Sequence, residues 1–181
     1  YYYINWKVSN HMSTLSVDTI TGQTTAANVK LPAGTVLQTV SSTITAQLNG
    51  SVGSAGTYID TGVTATITPK YSSSKILVNF VIGATGGNAT GDAVFRLVRG
   101  STNIALGSSG SYTGTVAVRT LNAELTSNPN MTHLDSPATT SATTYKVQGT
   151  LTGSGTLAIN RRQADAAFGT VSTMTLMEIS Q

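Results

Sequence analysis

Short segments with an apolar residue at every second position recur from about residue 36 to the end of the chain. The clearest is 75–82, whose apolar positions share one face: Ile76, Val78, Phe80 and Ile82. A period of two is the spacing of a β-strand with one buried face. Clusters of Gly, Ser, Asn and Pro separate the segments, and no window of twelve residues shows a helical stripe. The pattern predicts an all-β fold of about eight to ten short antiparallel strands, a jelly roll or β-sandwich.

The last segment, 170–179, differs from the others because both of its faces carry apolar residues. Met177 and Ile179 fall on one face, and Met174 and Leu176 fall on the other. In a two-layer sandwich one face of each strand reaches the core, so the second face needs another cover. A neighbouring subunit is the simplest cover, and we predict that Met174 and Leu176 lie in an oligomer interface.

The beginning of the chain is unlike the rest. Residues 1–11 hold three of the seven tyrosines and the only tryptophan. They end at the pair His11-Met12, which is typical of a cloning site. We therefore interpret residues 1–11 as a leader added by cloning rather than as part of the fold.

Residues 12–35 contain too few apolar groups to form a core within one chain. We predict an extended N-terminal assembly stem and linker here, which folds against partner chains, and a jelly-roll head at 36–181. The stem residues expected in the oligomer interface are Leu15, Val17 and Ile20.

Composition favours a chain that buries much of its surface against copies of itself. Charged residues make up 9% of the sequence, against about 25% in an ordinary soluble domain. The net charge is +3, and no basic run is longer than Arg161-Arg162, so we expect no nucleic-acid partner. There is no cysteine, which excludes disulfides and thiolate chemistry. Apolar runs are far shorter than the roughly 20 residues of a membrane span, so we expect no membrane insertion.

The sequence offers little chemistry for catalysis. On a strand His133 and Asp135 would share one face, and on a loop they could share a metal. We favour a structural hydrogen-bond pair in a loop or at a strand end over a metal or catalytic pair. The seven carboxylates are dispersed singly, whereas a glycosidase needs two that face each other across about 5–10 Å. We therefore predict no catalytic residue, no cofactor and no metal site.

Two further patterns have alternative interpretations. The glycine-rich pieces 50–56, 83–87 and 107–110 lack the Lys-Ser/Thr ending of a phosphate loop and predict hairpin turns. Four arginines could gather into a rim that binds anionic glycans, since the guanidinium fork suits carboxylate and phosphate groups. The same side chains could instead make subunit contacts or remain in solvent. The four are Arg96, Arg99, Arg161 and Arg162.

Several motifs, taken in order, carry a resemblance to a known family. They are MSTLSVDTITGQTT (12–25), VKLPAGTVLQ (29–38), ITPKY (67–71), SKILV (74–78), RLVRG (96–100), HLDSP (133–137), TTYKV (143–147) and MTLMEI (174–179). Together they resemble tail-fibre-like structural proteins of marine phages, especially the cyanophage type. The resemblance implies a homotrimer with a C-terminal jelly-roll head, similar to complement-type and tumour-necrosis-factor-like heads, on a short intertwined stem.

The resemblance also sets the functional expectation. It implies a non-enzymatic virion protein, assembled in the bacterial host cytoplasm, that contacts other virion proteins and attaches the particle to a host-surface glycan. One alternative is a capsid decoration or cement protein without receptor binding. Less favoured alternatives are a glycan-binding lectin and a glycan-degrading enzyme.

Overall fold

A computed structural model of the protein describes residues 31–87, 91–120, 126–167 and 169–181. The predicted leader and most of the predicted stem lie outside the described residues, together with the three predicted interface residues Leu15, Val17 and Ile20. Residues Leu31–Gln181 form one compact unit.

Within the described residues the chain forms twelve β-strands and no helix. In chain order they are β1 Val36–Ile44, β2 Leu48–Val52, β3 Ile59–Ile67, β4 Lys75–Val81, β5 Thr85–Gly87, β6 Gly91–Arg99, β7 Thr102–Ile104, β8 Val116–Thr120, β9 Asn130–Asp135, β10 Thr143–Leu151, β11 Gly155–Ile159 and β12 Ser172–Ile179.

Eight of these strands pair in a nested order. β1 pairs with β12, β3 with β10, β4 with β9 and β6 with β8, all antiparallel. The outermost strands in the sequence pair with each other, and each pair further in lies between the members of the previous pair. This nested pairing is the strand order of a jelly roll. The predicted all-β jelly-roll class is confirmed, with more strands than the eight to ten expected.

The strands form two main sheets and a smaller third one. One main sheet has the order β1-β12-β4-β9, and the other has the order β3-β10-β6-β7 with β8 also paired to β6. The third sheet has the order β2-β11-β5. Of its strands, β2 overlaps the glycine-rich piece 50–56 and β5 lies within the piece 83–87. We predicted both pieces to be hairpin turns, so that prediction is wrong in part. At Gly50 a β-carbon would lie 2.4 Å from Cδ1 of Ile59, so a side chain there requires the end of the Ile59 side chain to move.

The core lies between the two main sheets and is built from the alternate positions of their strands. In β4 the buried residues are Ile76, Val78 and Phe80, as the period of two predicts. The opposite sheet contributes Phe95 and Val147, both fully buried. Full burial of side chains of this size contributes about 1.5–3 kcal/mol each.

The two ends of the described unit meet. The backbone N–H of Gly34 donates to the carbonyl of Ser180 at 2.8 Å, and the N–H of Ser180 donates to the carbonyl of Thr35 at 2.9 Å. The last residues of the predicted linker are therefore fastened beside the end of β12.

Candidate assembly surface and side-chain networks

The outer face of the β1-β12-β4-β9 sheet is nearly free of charge. Buried and accessible positions alternate along these strands, so the outward residues are set by register. We call this surface the neutral face; its one charged side chain is Lys75. Its members are Thr39, Ser41 and Thr43 of β1, Thr173, Thr175, Met177 and Ile179 of β12, Lys75, Leu77, Asn79 and Val81 of β4, and Asn130, Thr132 and Leu134 of β9.

An apolar row crosses the neutral face. Met177 pairs with Leu77, and Leu77 pairs with Leu134 on the next strand. Leu134 is 47% exposed, and Val81 on the same face is 38% exposed. Apolar side chains at adjoining positions of three strands form a patch rather than scattered single residues, which is the arrangement that marks interaction surfaces.

The polar residues of the neutral face bond to one another. The Ser41 and Thr175 hydroxyls lie 3.2 Å apart across β1 and β12, and the amide of Asn79 donates to the Thr132 hydroxyl at 2.7 Å. Cross-strand pairs of this kind stabilise a sheet by roughly 0.2–1 kcal/mol each. They also reduce the number of polar groups on this face that depend on water for their hydrogen bonds.

The prediction for the last strand was wrong about which side chains face outward. Met174 and Leu176 are both 0% exposed and lie in the core of their own chain. They have no surface to offer a second copy, so they are core residues and not interface residues. From β12 it is Met177 and Ile179 that reach the neutral face, where they are half-buried.

The outer face of the opposite sheet has a different chemistry, and Arg96 lies at its centre. The guanidinium of Arg96 lies 3.9 Å from the centre of the Tyr58 ring. Its Nε and Nη2 donate to Oε1 of Gln148 at 2.9 and 2.7 Å. A stacked and hydrogen-bonded guanidinium is held in place by its neighbours.

The same network continues to a carboxylate. Gln148 donates from Nε2 to Asp60 at 2.7 Å, and Nζ of Lys146 lies 3.0 Å from the same carboxylate. The hydrogen bond from Gln148, followed by the interaction with Lys146, holds the pKa of Asp60 below its usual value. Asp60, Arg96 and Lys146 therefore place three charges on this face, in contrast to the neutral face.

Arg99 takes part in a network that joins the two main sheets. It ends β6 in one sheet, and its Nη1 lies 2.9 Å from both oxygens of Asp135, which ends β9 in the other. Asp135 is 7% exposed. It also accepts a 2.7 Å hydrogen bond from the hydroxyl of the buried Tyr145. Burial, and then the hydrogen bond to Asp135, raises the pKa of Tyr145, so its phenol remains a donor.

His133 and Asp135 lie on the same strand but do not form a hydrogen-bonded pair. Both lie on β9 and share its inward side, as expected for residues two apart on a strand. The hydrogen bonds of Asp135 go to Arg99 and Tyr145, however, and not to His133. Among the residues that the structure describes, no group of three or more His, Asp and Glu is placed to hold a metal ion.

The four predicted arginines do not form one rim. Arg99 bonds to Asp135, which pairs with Ile76 at the start of β4. Arg161 lies near the other end of this strand, because its backbone N–H donates to the carbonyl of Ala84, beyond the end of β4. A strand of this length separates the two sites by on the order of 20 Å. Arg96 projects from β6 on the opposite side from Arg99, because the two are three residues apart. Arg162, next to Arg161, pairs with Asp165.

Sequence reasoning missed the buried carboxylate of Glu178. It lies on β12 and is 0% exposed, and it accepts hydrogen bonds from the Gln38 amide at 2.6 Å and the Lys70 N–H at 2.7 Å. Burial alone raises the pKa of such a group. The hydrogen bonds from Gln38, Lys70 and Tyr71 outweigh it and hold the pKa of Glu178 below its usual value. The carboxylate thereby links β12 to β1 and to the loop after β3.

The strand order and the two contrasting faces define an antiparallel jelly-roll domain with one neutral and one charged outer surface. The chain matches no known family model and no curated protein. Among solved structures it has some similarity to the infectious bursal disease virus VP2 subviral particle, with a TM-score of 0.37 and 15% identity over 81% of this chain and 38% of that one. It also has some similarity to the structure of the infectious bursal disease virus Gx strain, with a TM-score of 0.41 and 16% identity over 93% of this chain and 47% of that one.

The chain thus spans less than half the length of either solved structure. At TM-scores this low, neither similarity bears on the function of this chain. In the described residues there is also no helix long and apolar enough to cross a bilayer.

Proposed function

We propose that this chain is a structural protein of a bacteriophage particle, a homotrimeric fibre or spike module that attaches the particle to its host. The observation that carries the proposal is the neutral face. A sheet surface with a connected apolar row and a single charge is costly to leave in water and inexpensive to bury against a copy of itself. The motif resemblance to phage fibre proteins supplies the particle context.

The size of the neutral face is suited to subunit contact. Four strands about 4.8 Å apart, with six to nine residues at about 3.3 Å each, span roughly 20 by 25 Å. Standard protein interfaces cover about 800 Å² per partner, so this face and the loops around it are of the required order. Burying the exposed parts of Leu134 and Val81 would contribute roughly 1 kcal/mol each.

The difference in charge between the two outer faces favours one orientation of the subunits in the trimer. Asp60, Arg96 and Lys146 lie on the opposite outer face and already form a hydrogen-bonded network with Gln148. Burying them would cost the hydration of three charges. We therefore place the neutral faces towards the trimer axis and the charged faces towards solvent.

The test of this proposal is the mass of the purified chain in solution. Size-exclusion chromatography with light scattering should give about 56 kDa, three times the 18.6 kDa chain. A monomer of 18.6 kDa at micromolar concentration would contradict the proposal.

Attachment is tested separately from assembly. Labelled trimer should bind host cells and should compete with phage adsorption. A trimer that binds the phage capsid but no host cell would instead support the decoration-protein alternative. Release of sugars from host polysaccharide by the purified chain would favour a glycan-degrading enzyme.

A further inference from the structure

A recess lies at the end of the sandwich where the Arg99 network joins the two sheets. Its volume is about 360 Å³. It is bounded by the end of β6 and by the loop that leads from β9 into β10. We call it the Arg99 recess; the polar side chains lining it are those of Arg99, Thr139, Ser141, Thr143 and Thr144.

Arg99 presents a fixed guanidinium to this recess. Its Nη1 is used within the protein, on the carboxylate of Asp135 at 2.9 Å and on the carbonyl of Ser136 at 3.3 Å. In the described part of the chain, its Nε and Nη2 have no hydrogen-bond partner. The side chain is 27% exposed. One edge of the guanidinium is therefore anchored, and the other edge is available at the surface.

The available edge has a defined chemical preference. Nε and Nη2 carry parallel N–H groups, which match the two oxygens of a carboxylate in a bidentate pair. Four of the other seven lining residues carry hydroxyl groups, which can bond to sugar hydroxyls: Thr139, Ser141, Thr143 and Thr144. A volume near 360 Å³ lies at the small end of ligand sites, which suits one sugar ring rather than a long chain.

We infer that the Arg99 recess binds the carboxylate-bearing sugar of an acidic host-surface polysaccharide, with the free edge of the Arg99 guanidinium on the carboxylate. This inference rests on the proposed attachment function and specifies its ligand. Because the recess is open and Arg99 is already neutralised by Asp135, each site binds weakly. Three sites on one trimer would gain avidity through multivalent contact with a repeating polysaccharide.

The test uses the full chain and glucuronic acid as the probe, titrated by ligand-observed NMR. Glucuronic acid should bind in the millimolar range. Its methyl ester and glucose, which lack the charge, should bind at least about tenfold more weakly. Inorganic phosphate serves as a plain anion, and it should not compete at equal concentration because it lacks the ring.

Two variants test two different features of the site, the guanidinium of Arg99 and the open space of the recess. Arg99→Lys keeps the charge next to Asp135 but removes the fork, and it should weaken glucuronic acid binding about tenfold. Ala142→Trp places a bulky ring at an exposed position of the lining and should abolish binding without touching the ion pair. Arg162→Lys, which alters an arginine paired with Asp165 away from the recess, is the matched control and should bind as wild type.

Three results would overturn the inference: equal binding of glucuronic acid and glucose, wild-type binding by the Ala142→Trp variant, or displacement of glucuronic acid by an equal concentration of phosphate. Absence of any binding at tens of millimolar would also overturn it. Light scattering and cell binding of the same samples separate the two proposals. A trimer that binds host cells but not acidic sugars would contradict the inferred ligand alone. A monomer would contradict the proposed function.

Discussion

The hydroxyl of Tyr145 on β10 donates a 2.7 Å hydrogen bond to the carboxylate of Asp135 on β9, a strand of the opposite sheet. Arg99, from the same sheet as Tyr145, reaches the same carboxylate. A buried acid that accepts from two donors of the facing sheet fixes the distance and register between the sheets at this end of the sandwich. It is a buried polar link between the two sheets at one end of the core.

Replacing Tyr145 by Phe should destabilise the fold by about 1–3 kcal/mol, because the buried carboxylate of Asp135 loses one of its donors. The free energy of unfolding in urea measures this loss. Tyr112→Phe is the matched control, since its hydroxyl is only half-buried and makes a longer 3.2 Å bond to the carbonyl of Thr152. Equal stability of the Tyr145→Phe variant and the wild type would show that the bond contributes nothing.

Stability should fall in acid because of Glu178. Its pKa is lowered in the folded chain, so the ionised carboxylate contributes stability that is fully present above its unfolded pKa and is lost as the pH falls through the folded value. Unfolding free energies measured from pH 7 down to pH 3 should therefore decrease. Glu178→Gln should be less stable than wild type by about 1.5–3 kcal/mol at pH 7, and the difference should shrink towards pH 3.

The control for this pH dependence is Asp165→Asn. The pKa of Asp165 is also lowered, chiefly by its hydrogen bond with Arg162, but the carboxylate lies at the surface, where an ion pair has little effect on stability. Its variant should follow the wild-type pH profile closely. A Glu178→Gln variant with an unchanged profile would contradict the role assigned to the buried carboxylate.

Charges on the neutral face should dissociate the assembly. In the variant Val81→Glu with Leu134→Glu, each new carboxylate would be buried without a partner on association, at a cost of about 3–5 kcal/mol. The expected result is a folded monomer by light scattering, because both positions are accessible in the isolated chain. Thr66→Glu, at an exposed position of the opposite sheet, should remain trimeric. A double variant that assembles as wild type does would exclude the neutral face as the interface.

Gly83 should not tolerate a side chain. A β-carbon there would lie 2.5 Å from Oγ1 of Thr170 and 2.6 Å from Oδ1 of Asn160. Gly83→Ala should therefore cost about 1–3 kcal/mol through overpacking. Gly53→Ala meets no atom within 4 Å and should be neutral. Thermal denaturation compares the two, and similar midpoints would contradict the crowding at Gly83.

The sequence predicted the strands whose inward positions are mostly apolar. β4 follows the period of two closely, and its predicted inward residues are buried. The segment of β9 was left open between a strand and a loop, because its inward positions are Met131, His133 and Asp135, of which only one is apolar. In the third sheet, β2 and β5 were missed because they fall in glycine-rich sequence, which is also typical of turns.

Contacts between residues far apart in the sequence could not be predicted from the pattern of apolar and polar positions. Arg99 and Asp135 are 36 positions apart, and Gln38 and Glu178 are 140 apart. Their partners are decided by the nested strand order, which no local pattern specifies. The same limit applies to the last strand: apolar residues on both faces indicated two covered surfaces, but the sequence could not show which one is the core of the same chain.

The nested strand order also has a consequence for synthesis on the ribosome. β1 pairs with β12, the last of the described strands to be made, so β1 stays unpaired along this edge until β12 has left the ribosome. The sheet that contains β1 can be completed only after β12 has emerged, and the chain must close long loops before it gains these contacts. We expect slow folding, with the edge of β1 unpaired in the meantime, as the consequence of a topology that pairs the first described strand with the last.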